Sequence, residues 1–170
     1  FDIVGHLTDT QTDESEYGVY FNAESESVTV NFCYEFLLNG NKVIYEYQKS
    51  SYKSIISEKF TINDKVVALI DRSISNEAKI HFVGTENLKT ELSSRNLSLL
   101  KYIKNNSVLD ANTENDTFLS SATSLMVGKI SSIKKACMST DSRESVGVFA
   151  SSSNARMSWL SDSTSHRMLK

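Results

Sequence analysis

The chain has 170 residues, 39% of them hydrophobic and 23% charged, with a formal net charge of -3. That length fits one globular domain burying about two-thirds of the surface its unfolded form exposes. No apolar run approaches the roughly 20 residues a membrane-crossing helix needs, and the slightly acidic balance offers no basic footprint for nucleic acid.

The chain begins at Phe1, without a basic n-region or an apolar h-region, and carries two cysteines, Cys33 and Cys137. Two thiols so far apart make neither a disulfide framework nor a zinc site, and point to a reducing, cytoplasmic compartment.

Near the start, Asp9, Asp13, Glu14 and Glu16 form an acidic cluster. Such oxygens suit a divalent cation, but the reading adopted is a solvated loop, so no metal site is assigned. From Val28 the pattern becomes regular: Val28, Val30, Phe32, Tyr34 and Phe36 alternate with Thr29, Asn31, Cys33 and Glu35. The period of two predicts a half-buried strand. Asn39-Gly40 tolerates positive φ and reverses the chain, so Val43, Tyr45 and Tyr47 pair back as an antiparallel hairpin.

Ile55 to Ile62 and Val66 to Ile70 continue the meander through a turn at Asn63-Asp64, with Ala78 to Val83 as a further strand. After Gly84 the period changes. Thr85 is placed to cap a helix through Glu86, Leu88 and Leu92, and Leu99, Tyr102 and Ile103 fall at helical spacing in a second segment. The expected class is α+β, an antiparallel meander followed by short helices, with the sheet at about 17–83 and the helices at about 85–118.

At Leu119 the composition breaks. Residues 1–118 hold 11 Lys and Arg against 18 Asp and Glu, whereas residues 119–170 hold 7 against 3. Serine rises from 13 in the first part to 15 in the last 52 residues. The segment 119–170 reads as a Ser-rich, basic, weakly specified tail, or as sequence after a shift of reading frame.

Catalytic motifs fail one by one. Gly128-Lys129 is followed by Ile130 and preceded five positions earlier by Thr123, so it is not a P-loop. Six scattered glycines build no dinucleotide fingerprint, and no serine sits in a nucleophile elbow. His6, His81 and His166 have no second ligand at helical spacing, and a structural histidine is the reading for each. Tyr34, Tyr45 and Tyr47 could stack on bases, but Glu35 and Glu46 among them would repel phosphate, which favours cross-strand packing. No catalytic residue is assigned, and a small hydrolase ranks last for want of a nucleophile, base and orienting group together.

The run EFLLNGNKVIYEY, then IISEKF, the Asp71-Arg72 pair and NLKTELSSRNLSLLKYIKNN resembles the AAA-family ATPases with an ABC-type head found in abortive-infection and OLD-like phage-defence systems. The resemblance covers about 28–118. It implies that residues 1–118 are an internal α+β piece of the head, with the P-loop encoded before Phe1 and the signature motif and Walker B carboxylate beyond residue 118. No nucleotide-contacting residue carries over. ATP and Mg2+ are implied for the intact family protein, with no cofactor held by this segment, which alone should be inactive.

The implied partners are the remainder of the head, a second copy and an effector nuclease, with no membrane and with nucleic acid reached only through the intact protein. A stand-alone protein-binding module, such as an immunity or adaptor protein whose sheet edge pairs with a partner, is the alternative.

Overall fold

Alternation along the first strands becomes alternation of burial. The computed structural model describes Leu7 and residues 29–51, 53–130 and 133–139. Strand β1 (Val30–Leu38) turns Val30, Phe32, Tyr34 and Phe36 into the core and leaves Asn31, Cys33 and Glu35 half-exposed. It pairs antiparallel with β2 (Asn41–Ser51) in a register that sets Tyr34 opposite Tyr45 and Phe32 opposite Tyr47. The meander goes on through β3 (Ser54–Ile62), β4 (Lys65–Asp71) and β5 (Ser75–Ile80).

Two tight reversals hold this order. Asn39 and Gly40 have φ of 50° and 81°, and Asn63 and Asp64 have 48° and 65°. Paired positive φ values are the geometry of the hairpin turns that match strand twist, and Asn, Asp and Gly reach it at least cost. The second turn is tied to the first hairpin, because Asn63 accepts from the Lys42 N–H at 3.0 Å and donates to Asn41 at 2.8 Å.

Among the described residues, two helices and a sixth strand follow the meander. Helix α1 (Leu99–Asn106) starts at the N-cap Ser98 and buries Leu99, Leu100 and Ile103. Helix α2 (Thr113–Met126) starts at Asn112, whose side chain accepts from the Asn115 N–H at 2.8 Å. Strand β6 (Ile133–Ser139) then pairs antiparallel with β1, so the sheet order is β5-β4-β3-β2-β1-β6. The class is α+β: an open antiparallel meander with short helices after it. The core lies where Phe118 of α2 meets Phe60 of β3 edge-on at 5.5 Å and Phe82 at 4.5 Å.

The structure differs from the sequence reading in three places. Thr85 caps no helix: its hydroxyl donates to the Phe82 carbonyl, and residues 85–98 form turns. The cause is competition for backbone groups, since Ala78 N–H donates to Thr90 and Leu92 N–H donates to Asn76, which draws this segment alongside β5. The fifth strand spans Ser75–Ile80 rather than Ala78–Val83, with His81 N–H adding one bond to Val67 beyond its end.

Finally, the break in composition at Leu119 falls inside α2, where Ala122 and Leu125 are fully buried, and Ala136 of β6 is buried in the sheet. Residues as far as Ser139 thus belong to the same domain as β1. The stretch 17–28 of the expected sheet lies outside the described residues, as does 140–170.

Candidate functional site

Glu58 is the feature around which the described residues are organised. It lies on the core face of β3, opposite Tyr47 of β2 and Ile70 of β4, and its side chain has no solvent exposure. A buried carboxylate is tolerable only if charge and lone pairs are answered. Here they are. The Tyr45 and Ser98 hydroxyls each donate to Oε2 at 2.8 Å, and the Leu99 N–H donates to Oε1 at 2.6 Å.

Arg72 supplies the charge, with Nη1 3.8 Å from Oε1 and its own side chain fully enclosed. Its remaining donors go to backbone carbonyls: Nε to Leu92 at 3.3 Å, Nη1 to Ile55 at 3.4 Å and Nη2 to Leu97 at 2.8 Å. Burial pushes the guanidinium below its ordinary pKa, and Glu58 and Tyr45 pull it partly back.

The local sequence explains the convergence. Tyr45 shares the core face of the sheet with Glu58 by the period of two. Asp71 makes the reversal after β4 by accepting from the Ser73 N–H at 3.0 Å, which sends Arg72 inward under the loop it holds. Ser98 ends that loop and begins α1, whose first N–H groups favour a negative charge. One carboxylate thereby joins two strands, a helix N-terminus and, through Arg72, the segment 92–97. The arrangement can hold these elements in one geometry; a fully enclosed ion pair with its oxygens occupied is not presented to a substrate.

The other residues singled out above occupy plainer positions. Tyr34, Tyr45 and Tyr47 are buried on the core face, and Tyr47 stacks on Phe32 at 4.8 Å and lies 5.1 Å from Tyr45, which is the cross-strand packing expected of them.

Gly128, with φ of 64°, terminates α2: its N–H donates to Leu125 and the Lys129 N–H donates to Ser124, the paired bonds of a glycine C-cap. His81 is exposed just past β5. His6, His166 and the acidic cluster at Asp9, Asp13, Glu14 and Glu16 lie outside the described residues. Among the described residues no group of three or more His, Cys, Asp or Glu side chains stands close enough to hold a metal ion. No described helix is long and apolar enough to cross a membrane.

The sequence reading quoted Glu58, Arg72 and the segment 96–100 as parts of separate runs and missed that they meet. The only available signal was an ionisable residue at an inward position of an alternating strand, which demands a partner. Comparison with known proteins adds no further guide: no family model, no curated protein and no solved structure matches this chain.

Proposed function

We propose that this domain is an architectural segment of an ATP-hydrolysing head of AAA type with ABC-like organisation, from a cytoplasmic OLD-like phage-defence protein. The observation that supports this reading is the Glu58 network. The runs that carry the resemblance, from the Y-x-Y strand to Asp71-Arg72 and the NLSLL segment, supply Tyr45, Glu58, Arg72, Ser98 and Leu99 to one buried cluster. Shared sequence features that meet in the core are what an architectural segment requires, and enclosed polar networks fix geometry in return for a desolvation cost.

In the intact protein, ATP and Mg2+ would be bound by a P-loop supplied outside this chain, and water would attack the γ-phosphate with the metal neutralising the developing charge. The present domain would stiffen the lobe beside that site and carry its position to the rest of the head, to a second copy and to an effector nuclease.

A turnover assay on the purified chain tests the assignment. No ATP hydrolysis above a buffer control is expected. Turnover that persists through purification and disappears on a substitution within these 170 residues would overturn it. A stand-alone binding module is the second reading. The outer side of β5 is occupied by residues 90–92 through the Ala78 and Leu92 backbone bonds, so among the described strands β6 is the edge that such a module would offer to a partner strand.

A further inference from the structure

The face of the sheet turned away from α1 and α2 carries the two cysteines side by side. Cys33 of β1 and Cys137 of β6 are direct cross-strand partners. Both point to the same side, because Phe32 and Tyr34, and Ala136 on β6, take the core side. Directly opposed residues of an antiparallel pair have Cα atoms about 4.5 or 5.5 Å apart, depending on the type of pair. Either value falls within the roughly 4.4–6.8 Å that a disulfide spans. Both thiols are free and partly exposed.

We propose that Cys33 and Cys137 are a thiol pair that closes into a reversible cross-strand disulfide on meeting a peroxide, fastening the edge strand β6 to the sheet.

Burial and the neighbouring sulfur push the Cys33 thiol up to about 12. One of the two sulfurs opens the reaction as its thiolate. It attacks one peroxide oxygen, the O–O bond breaks, and the departing hydroxide takes a proton to become water, which leaves a sulfenic acid on that cysteine. The sulfur of the facing cysteine then attacks the sulfenic sulfur. The S–S bond forms, the S–O bond breaks, and the leaving hydroxide takes the second thiol's proton as a second water. Two thiols have been oxidised by two electrons in total, and one peroxide has been reduced to two waters.

The bond would act on a particular joint of the fold. Among the described strands β6 lies outermost on its side of the sheet, next to β1, about 100 residues earlier in the chain. Oxidation would lock that long-range pairing, and a thiol reductant would release it. Exposed or regulatory disulfides of this kind are the ones that form transiently in reducing compartments.

The test uses the full chain, reduced, freed of reductant and exposed to hydrogen peroxide while its circular dichroism confirms that it stays folded. Peptide mapping by mass spectrometry is expected to find a Cys33–Cys137 link in monomeric protein, reversed by dithiothreitol. The link should form at least about tenfold faster in the native chain than in urea-unfolded chain, since the fold holds the sulfurs together. Oxidation should raise the thermal midpoint of the parent chain and leave Cys33→Ser and Cys137→Ser unchanged. Sulfenic or sulfinic acid at either cysteine without the link, disulfides only between chains, or linkage no faster in the native than in the unfolded chain would each overturn the proposal.

Discussion

Replacing Glu58 should cost more stability than any surface substitution in this chain. In Glu58→Ala, three donors lose their acceptor at once: the Tyr45 and Ser98 hydroxyls and the Leu99 N–H. Arg72, whose side chain is fully enclosed, also loses the carboxylate 3.8 Å from its Nη1. Breaking a buried pair by removing one partner costs about 3–5 kcal/mol, because the other charge stays buried without compensation. For a domain of ordinary stability, about 5–15 kcal/mol, that is a large share of the total.

Glu58→Gln sharpens the test. The amide keeps one oxygen for the Leu99 N–H and can offer its NH2 to the two hydroxyls, which accept by rotating, so the hydrogen bonds largely survive while the charge is lost. Its cost should be smaller, about 2–3 kcal/mol, roughly the value of hydrogen bonds to a charged group. Urea unfolding followed by far-ultraviolet circular dichroism reads both. With a slope of about 1–3 kcal/mol per molar for a small domain, Glu58→Ala should lower the midpoint by more than about 1 M. Coupling between Glu58→Gln and Arg72→Met, measured by a double-mutant cycle, should exceed about 1 kcal/mol. Midpoints within experimental error of the parent for both Glu58 variants would refute the view that this network ties sheet to helix.

Other consequences are smaller or more local. Gly84→Ala should destabilise more than Gly40→Ala: both have positive φ, but a Cβ at Gly84 would meet the Val108 carbonyl at 2.5 Å, while Gly40 has nothing within 4 Å. About 1–2 kcal/mol is expected at Gly40 from the left-handed backbone alone, and about 1–3 kcal/mol more at Gly84 from the clash; thermal melts of the two variants compare them directly.

Phe118→Ala should cost about 3–5 kcal/mol in urea unfolding, because it empties the junction between α2 and the sheet. In reduced protein, the Cys33 thiol has its pKa raised from 9.0 to about 12 on folding. The unfolded state therefore ionises first, and the stability this thiol contributes is full below about pH 9 and is lost as pH rises from there through about 12. Urea midpoints across that window should fall for the parent chain and fall less for Cys33→Ser.

The strands β1 to β4 were legible because each states its face in its own residues: Phe32, Tyr34 and Phe36, then Val43, Tyr45 and Tyr47, keep the period of two, and Asn39-Gly40 and Asn63-Asp64 name their turns. Helix α2 was not, since its buried side includes Asn115, Thr117, Ser121 and Ala122, with Phe118 and Leu125 as the large apolar groups. Small polar contacts leave little hydrophobic period to read. Strand β6 was obscured for a different reason: Ile133 and Cys137 fall on one parity and Ala136 and Met138 on the other, and its partner β1 is distant in the chain.

The helix expected after Thr85 failed because tertiary pairing with β5 and the Arg72 guanidinium claimed its backbone groups. For the same reason the Glu58 cluster and the facing thiols needed the register of the sheet; neither Glu58 beside Arg72 nor Cys33 beside Cys137 can be inferred from spacing.

The coding context of the chain tests the functional assignment most directly. Sequencing the source DNA through Phe1 and past Lys170, and translating every frame, should reveal a P-loop encoded upstream in the frame that leads into β1. Downstream, codons for a signature motif and a Walker B carboxylate should follow. A start codon immediately before Phe1 together with a stop codon after Lys170 would contradict the ATPase-head assignment and make this domain a protein-binding module in its own right.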